Sequence, residues 1–537
     1  MVRLYLPDEN ERLKISQEVL RRVMLDIFLK VSDGMSLKSY LVETVSSEIE
    51  RWLGSRGEMA EANLKLFSVL KKKLLRASES DAKFILSKIV DNYLRDIHGH
   101  FSKPVYFLAT KVVPSGLSFL FNSITFTSMF SNLFSIPSVK NNVRVYGEID
   151  LLKKLQTKGT VILTPTHVSH MDSPIMGWVI YDLGMPPFLY GAGLNLFENP
   201  FLGFFIRNLG AYRLDRKRKH ELYLNTLKEY VSVTLEKGFD HLFFPGGTRS
   251  RSGLIETKLK LGLLGSGLNA YIQNLKNKKE NPNIYIVPCV LSYHITLEAE
   301  SLIDDYLQDI TKEDYIMEYD ESYELEKVIS FIRRIFEMNL KVYVRIGRAL
   351  DPFGNYVDDE GNSTDPRGRI IDPIKYVLIN GEPNFDHQRD AEYTREVGKS
   401  LSESFLKNNF ILSTGLCAFV VYNMLRASIG TSDVMKIVRS ADGVELDDSE
   451  VIKKLDYSLS EFLKLEKQGE VSVADRVKEK NLAGILDKAY RVFSSYHREK
   501  PPFVIKGSKV IVRNPKLLLY YANRLAGYDL ERKIFGL

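Results

Sequence analysis

Two histidines and one aspartate lie within the short stretch TPTHVSHMDSP, as His167, His170 and Asp172. A carboxylate that accepts a hydrogen bond from one imidazole nitrogen leaves the other nitrogen unprotonated, and the ring can then act as a general base. The five-residue separation of His167 and Asp172 allows this contact across a turn, whereas His170 is too close to Asp172 to share it easily. These residue types indicate proton transfer by His167, with Asp172 orienting the ring.

A metal site is the alternative interpretation of the same stretch. His167 and His170, at positions i and i+3, could ligate a metal from one face of a helix. No further histidine or carboxylate cluster with metal-ligand spacing accompanies them, so we expect no metal. A hydrogen-bonded structural histidine is the plainer possibility, and this stretch alone does not exclude it.

Arginine-rich stretches elsewhere in the chain could bind an anion. Arg207 lies among apolar residues in GFFIRNLG, where a guanidinium is costly unless it meets a negative charge. The stretch FFPGGTRSRSG allows close backbone approach at its glycines and places two guanidinium groups around a hydroxyl, which suits a phosphate monoester. A surface turn is the alternative, and the spacing is not that of a nucleotide-binding loop. The candidate residues here are Gly247, Thr248, Arg249, Ser250 and Arg251.

Short apolar runs precede these polar stretches and predict the strands that position them. The runs are residues 160–165, 187–193, 240–245, 283–293 and 341–347, and helical patterns lie between them. This alternation predicts an α/β fold with a largely parallel central sheet flanked by helices, whose ligands bind beyond the carboxyl ends of the strands. Ser173 and Pro174 read as the cap and first residue of a helix. Pro288, inside the fourth run, predicts an edge strand or a bend.

Composition and periodicity divide the chain into four parts. Residues 1–105 read as an N-terminal helical region, 106–144 as an apolar segment, 145–385 as the α/β domain and 386–537 as a C-terminal helical region. Residues 351–385, rich in Asp, Gly, Pro and Asn, predict a loop, and no internal repeat is evident.

The apolar segment contains no charged residue between Lys111 and Lys140. Eleven of these positions are Ser, Thr or Asn, and prolines lie near both ends, which disfavours a membrane span. An amphipathic helix or helical hairpin is expected, either in the membrane interface or packed against a domain. The lysines at 71–73 form a solvated helix face or contact anionic lipid head groups.

The overall composition excludes several classes of protein. A net charge of +6 over 537 residues is mild and gives no reason to expect a nucleic-acid partner. Cys289 and Cys417 are the two cysteines and lie far apart in sequence, which supports neither a disulfide framework nor a zinc site and favours a reducing cytoplasm. The first residues, MVRLYLPDENERLKI, lack the apolar core of a signal peptide.

Four stretches, taken in chain order, resemble the four motif blocks of the glycerolipid acyltransferase family. The first block is His, four residues, then Asp, as at His167 and Asp172. The others are a Gly–aromatic–Ile–Arg run, as at 203–207, a Phe-Pro-Glu-Gly-Thr-Arg-Ser-Arg run, as at 244–251, and a strand with a central proline, as at Pro288. Within that family the chain is most similar to bacterial glycerol-3-phosphate 1-O-acyltransferases, over roughly residues 145–350.

The resemblance implies transfer of a fatty acyl group from acyl-CoA or acyl-carrier protein to the sn-1 hydroxyl of glycerol 3-phosphate. It implies no cofactor and a peripheral location at the cytoplasmic face of the membrane. His167 would be the general base and Asp172 its partner. Arg207, Arg249 and Arg251 would hold the phosphate, with Gly247, Thr248 and Ser250 lining the same site and the Pro288 strand bordering the acyl channel.

One position departs from the family pattern. Gly246 stands where the third block has a glutamate associated with the acyl-acceptor site. The identity of the acceptor is therefore open, with lysophosphatidate and dihydroxyacetone phosphate as alternatives to glycerol 3-phosphate. A non-catalytic lipid-binding homologue, disabled at this position, is a further alternative, although the intact pair of His167 and Asp172 argues against it.

Overall fold

The structure, a computed structural model of the chain, describes most of its length. It covers residues 6–32, 36–55, 57–109, 142–194, 197, 200–311, 331, 335, 338–479 and 481–537. The uncharged residues 112–139, for which membrane contact is predicted, lie outside this part of the chain. Among the described residues no helix is both long enough and apolar enough to cross a membrane.

A seven-stranded sheet lies at the centre of the α/β part of the chain. Its strands are β1 (Val143–Gly147), β2 (Thr160–Pro165), β3 (Leu189–Gly193), β4 (Ala211–Leu214), β5 (His241–Leu242), β6 (Ile284–Ser292) and β7 (Val342–Ile346). They pair in the order β1–β7–β6–β2–β5–β3–β4, and only the β6–β7 pairing is antiparallel. The predicted largely parallel α/β sheet is thereby confirmed.

Five neighbouring strands, from β6 to β4, run in one direction, so their carboxyl ends meet at one edge of the sheet. β2 is buried along its whole length because both of its faces are covered, and its sequence is accordingly almost continuously apolar. The segments after β2, β5 and β6 carry His167, Arg249 and Glu298 respectively. The polar side chains that follow these strands are therefore neighbours in space.

Pro288 lies in an internal strand, so the edge-strand alternative is wrong. β6 pairs with β2 on one side and with β7 on the other. The carbonyl of Pro288 accepts a hydrogen bond from the Gly347 N–H at 2.8 Å, just beyond the end of β7, and the next bridge joins Ile286 to Leu350. The missing proline N–H thus falls where the regular ladder is interrupted by a bulge, which removes the conflict with an internal position.

Helices cover both faces of the sheet. In the α/β part they are Ile149–Lys158, Asp172–Asp182, Pro200–Asn208, Glu221–Glu236, Gly262–Lys276 and Ala299–Thr311. The N-terminal helices are Glu9–Ser32, Leu37–Leu53, Glu58–Leu75, Glu79–Ile97 and Lys103–Phe107. The first of these buries Ile15, Val19, Val23 and Ile27, spaced by four residues, in a core shared with the helices 221–236 and 262–276.

A buried arginine joins the N-terminal helices to the loop after β4. The Arg218 side chain is 2% exposed and lies within 3.0 to 3.6 Å of carboxylate oxygens of Asp96, Glu48 and Asp215. Removing one partner of such a buried set leaves uncompensated charge, so the set constrains how the helices meet the sheet. The loop that follows β4 is held in this way by residues more than a hundred positions earlier in the chain.

The C-terminal part is helical but also contains strands, which the helical interpretation of residues 386–537 missed. Its helices are His387–Lys407, Ser413–Ile429, Val434–Ser440, Asp448–Lys467, Asp475–Lys478, Leu482–Tyr496, Pro515–Asn523 and Glu531–Phe535. Glu445–Asp447, Phe503–Lys506 and Lys509–Val512 form a three-stranded antiparallel sheet, and Phe410–Ile411 pairs with Ser472–Val473. Strands this short leave little periodicity in the sequence.

A seven-residue repeat organises the segment predicted as a loop without repeats, and that prediction of no repeat is wrong. In three successive turns an aspartate side chain accepts hydrogen bonds from the N–H groups two and four residues later, and a glycine three residues on has a φ of 78° to 87°. The aspartates are Asp351, Asp358 and Asp365. Short strands occur at Tyr356–Val357, Ser363–Thr364, Leu378–Ile379 and Glu382–Pro383.

Candidate active site

The imidazole of His167 and the carboxylate of Asp172 are in direct contact. His167 Nδ1 lies 2.9 Å from Asp172 Oδ2, in the loop that joins β2 to the helix 172–182. Two backbone N–H groups of the same loop, from Val168 and Ser169, donate to the same oxygen at 2.6 and 2.8 Å. The Tyr293 hydroxyl, just after β6, donates to Oδ1 at 2.6 Å. Four donors therefore fix a carboxylate that is fully buried.

The helix begins at Asp172, two residues before the start that a Ser173 cap predicts. Asp172 thus combines two tasks: it stands in the first turn of the helix and closes the preceding loop through the N–H groups of residues 168 and 169. His167 and His170 both precede this helix. They therefore do not lie on one face of a helix, and the interpretation of these two histidines as a helical metal pair is wrong.

His167 is held as a neutral ring in a confined position. Its side chain is 13% exposed, and the Phe244 ring stacks on it with centroids 4.2 Å apart. Burial lowers the pKa of His167 below its usual value, and the hydrogen bond and charge of Asp172 oppose that shift only in part. Because Asp172 is already an acceptor of backbone donors, Nδ1 carries the hydrogen and Nε2 is the basic nitrogen.

Glu298 links the histidine loop to Arg249. This buried carboxylate accepts hydrogen bonds from Ser169 Oγ and the His170 N–H, both at 2.9 Å. Arg249 Nη1 lies 3.4 Å from Glu298 Oε1. The Ser250 N–H donates to the His167 carbonyl at 2.8 Å. The loops after β2, β5 and β6 are therefore interlocked, and the Arg249 charge acts on the His167 ring, whose pKa it lowers.

The remaining residues of the glycine-rich stretch point in different directions. Arg251 is 40% exposed and pairs with Asp309 on the helix 299–311 at 2.7 Å, whereas Arg249 turns inward. The Ser250 hydroxyl donates to the Leu254 carbonyl at 2.7 Å, and Thr248 is exposed. Gly247 has a φ of 77° and turns the chain after Phe244. The two guanidinium groups do not converge into one two-forked cradle in this structure.

Arg207 and Pro288 lie outside the immediate surroundings of His167. Arg207 is exposed on the helix 200–208 and donates to the Phe197 carbonyl at 2.8 Å. This helix leads into β4, which is three strands from β2, or roughly 14 Å at the usual strand spacing. Pro288 is buried in β6 opposite Thr164, before the strand end that faces the histidine loop.

Two ionisable residues of the site, Glu256 and Arg524, lie outside the sequence motifs. Glu256 Oε1 accepts the His167 backbone N–H at 2.9 Å, although it lies 89 positions later in the chain. Arg524, in the C-terminal part, donates to the Leu291 carbonyl at 2.8 Å, and its charge acts on both Glu256 and Asp172. Only the folded chain brings these residues to the end of β2.

No group of three or more histidine, cysteine or acidic side chains arranged to hold a metal occurs in the part of the chain that the structure describes. Cys289 and Cys417 are both buried, and neither takes part in a disulfide. Burial raises the pKa of both thiols far above that of an exposed cysteine. Neither cysteine is therefore activated as a nucleophile.

Comparison with known proteins agrees with this combination of fold and site. Residues 143–292, which span β1 to β6, match the model of a family described as Acyltransferase. The chain therefore contains an acyltransferase domain, and the His167 and Asp172 pair lies within it.

Several curated proteins that are similar to part of this chain are named glycerol-3-phosphate acyltransferase. The protein of Xanthomonas campestris is 30% identical over 158 residues, which are 29% of this chain and 17% of the relative. That of Pseudoalteromonas translucida is 32% identical over 178 residues, 32% of this chain and 21% of the relative. That of Aeromonas hydrophila is 34% identical over 142 residues, which are 26% of this chain and 17% of the relative. The matched region thus spans about a fifth of these relatives.

A titration of His167 tests the electrostatics of the site without any assumption about the reaction. Because burial dominates, the imidazole should titrate below pH about 6.5, the ordinary value for histidine. In Asp172→Asn the midpoint should fall further, because the carboxylate charge that favours the imidazolium is lost. NMR of histidine-labelled protein, with His167→Ala for assignment, measures both. Asp182→Asn, at the exposed end of the same helix, is the control, and an upward shift in Asp172→Asn would contradict the geometry.

Proposed function

We propose that this protein transfers a fatty acyl group from a thioester, acyl-CoA or acyl-carrier protein, to the sn-1 hydroxyl of glycerol 3-phosphate. The observation that carries the proposal is the 2.9 Å contact between His167 and Asp172 at the end of β2, inside a domain of the acyltransferase family. The names of the relatives support glycerol 3-phosphate as the acceptor. No cofactor takes part in this scheme.

The orientation of the His167 ring defines its role in the proposed reaction. Nε2 of His167 takes the proton of the acceptor hydroxyl while its oxygen attacks the thioester carbonyl carbon. The carbon–sulfur bond then breaks, and the imidazolium returns the proton to the leaving thiolate, so that an ester and a free thiol are formed. Asp172 holds the Nδ1–H and stabilises the imidazolium, as a buried carboxylate does for a catalytic histidine. Both thiols of the described cysteines are buried, which favours direct transfer over a cysteine-bound intermediate.

Binding of the acceptor phosphate requires a cationic side chain close to this base. Arg249 is the arginine of the glycine-rich stretch that lies against the histidine loop, through Glu298. A guanidinium carries five donors, so it can hold a carboxylate and a phosphate together. Arg251 can join it by leaving Asp309, because an exposed ion pair contributes only about 0–1 kcal/mol. Arg207, three strands away, would act on a more distant part of the bound substrates.

Replacement of the base gives the most direct test. His167→Ala should lower kcat for acyl transfer by about 10²–10⁴-fold or more, because general-base catalysis is lost. His170→Ala, a change of the same size three residues away, should retain most of the activity. Transfer of a labelled acyl group from either thioester to glycerol 3-phosphate, lysophosphatidate or dihydroxyacetone phosphate measures both. Wild-type turnover by His167→Ala would refute the base assignment, and a preference for another acceptor would correct the substrate.

The role of Arg249 predicts a change in acceptor binding. Loss of a charge-assisted hydrogen bond of about 1.5–3 kcal/mol should raise the KM for the phosphate acceptor by roughly 10–100-fold in Arg249→Ala. The KM for the thioester should change little, whereas kcat should also fall, because Arg249 neutralises the buried Glu298 that anchors the His170 N–H. Arg395→Ala, an exposed arginine on the helix 387–407, is the control. A rise confined to the thioester KM would show that Arg249 serves the donor instead.

The same proposal includes peripheral attachment of the protein to a membrane, because the product of the proposed reaction is a lipid. The uncharged residues 112–139 and the exposed lysines 71–73 support peripheral binding at the cytoplasmic face. The protein should sediment with vesicles of phosphatidylethanolamine and phosphatidylglycerol. Substitution of Phe119, Phe126 and Phe130 by serine should weaken that binding at least several-fold, whereas Phe385→Ser, an exposed phenylalanine elsewhere, should not. Equal sedimentation of all three proteins would remove the segment from the proposal.

A further inference from the structure

Gly246 and Glu256 occupy one space beside the candidate base. A Cβ atom on Gly246 would lie 2.5 Å from Glu256 Oε1 and 2.9 Å from its Cδ, closer than atoms of folded proteins approach. Gly246 is not among the glycines with positive φ, so its backbone does not require glycine. A side chain at position 246 would therefore require the carboxyl group of Glu256 to move.

The loop geometry brings Glu256 to this place. The Lys260 N–H donates to the Pro245 carbonyl at 2.7 Å, so the segment around 256–260 folds back along the segment around 245–247. Glu256 Oε1 then accepts the His167 N–H at 2.9 Å. A carboxyl group from position 256 thus lies directly over Gly246 and against the backbone of the histidine.

One oxygen of this carboxyl group has no partner in the described part of the chain. Glu256 Oε2 is buried and forms no hydrogen bond with any described residue. Buried oxygen atoms of native sites are satisfied by a donor or acceptor, which here can arrive with a ligand. This oxygen belongs to a carboxyl group that lies between the backbone of His167 and the glycine-rich stretch.

We infer that Glu256 is a further acceptor-binding residue, whose Oε2 hydrogen-bonds a hydroxyl group of the polyol phosphate that receives the acyl group. The inference rests on the proposed function and assigns its acceptor site in more detail. Glu256 replaces, from ten residues further along the same loop, the carboxyl group that position 246 lacks. The departure at Gly246 therefore relocates this group and does not disable the site.

The chemistry of the carboxyl group favours a hydroxyl as its ligand. Burial raises the pKa of Glu256 to about 8, although the His167 N–H and the charge of Arg524 oppose the shift. The group is thus largely protonated near neutral pH, and because Oε1 is already an acceptor the proton is on Oε2. A hydroxyl suits either protonation state, since it accepts from a carboxylic acid and donates to a carboxylate. A phosphate group offers only acceptors near this pH and would be repelled by the ionised form.

Variants that remove the carboxyl group from position 256 or place one at position 246 test the inference. Glu256→Ala should raise the KM for glycerol 3-phosphate about 10–100-fold and leave the thioester KM unchanged, with Glu256→Gln retaining part of the binding. Gly246→Glu alone should impair the enzyme, because the new side chain and Glu256 require the same space. The double variant Gly246→Glu with Glu256→Ala should regain acceptor binding to within several-fold of the wild type. Glu280→Ala, an exposed glutamate, is the control.

Steady-state kinetics and calorimetric titration with glycerol 3-phosphate separate this inference from the proposed function. Turnover of glycerol 3-phosphate by the wild type, with the same acceptor KM in Glu256→Ala, would overturn the Glu256 assignment alone. Wild-type binding of glycerol 3-phosphate without acyl transfer, with that binding lost in Glu256→Ala, would support the assignment and overturn the proposed function. If Glu256→Ala does not fold, the double variant decides, and a double variant no better than Gly246→Glu alone would overturn the assignment.

Discussion

The site depends on the burial of one charged carboxylate, that of Asp172. A buried charge is strongly unfavourable unless hydrogen bonds replace the water it has lost. The replacements come from two N–H groups of the preceding loop, from Tyr293 after β6 and from the His167 ring. Because all four converge on one group, the path of the loop, the start of the helix at 172 and the orientation of the imidazole are set together.

Two buried carboxyl groups near the ring have different surroundings. Asp172 has four donors, whereas Glu256 has the His167 N–H alone among the described residues, and its pKa rises to about 8. Pairs of carboxyl groups whose environments differ in this way commonly divide acid–base and binding tasks. Arg524 acts on both groups, so the C-terminal part of the chain contributes to the electrostatics of a site whose motifs all lie in the α/β domain.

The sequence predicts the parts of this arrangement that depend on local pattern. The run at 160–165 forms a strand at those residues: β2 is covered on both faces, and apart from the buried Thr160 and Thr164 its residues are apolar. The strand predicted at 240–245 is longer than the observed one: β5 contains only residues 241 and 242, and Phe244, two residues later, stacks on His167. The contact of His167 with Asp172 could be anticipated because five residues across a turn limit where the carboxylate can go.

Contacts between distant residues could not be anticipated in the same way. Glu298 joins His170 from 128 positions away, and Glu256 reaches the His167 backbone from 89. Neither separation follows a helical or strand period, so no pattern in a single sequence indicates them. The direction of the Arg251 side chain could not be predicted either. Arginines on both sides of Ser250 are equally compatible with two converging guanidinium groups and with the divergent pair that the structure describes.

The ion pairs of Arg251 and Arg249 differ in strength, and this difference bears on how the phosphate of the proposed acceptor would enter. Arg251 meets Asp309 at an exposed position, where solvent screens the pair and little free energy is lost when it opens. Arg249 meets a fully buried Glu298 that also anchors the His170 N–H, so moving it would leave a buried charge uncompensated and loosen the loop of the base. Under the proposed function, a phosphate that enters the site would therefore be best accommodated by movement of Arg251 towards a stationary Arg249. The pair of Arg249 and Glu298 would keep the imidazole in place while Arg251 adapts to the ligand.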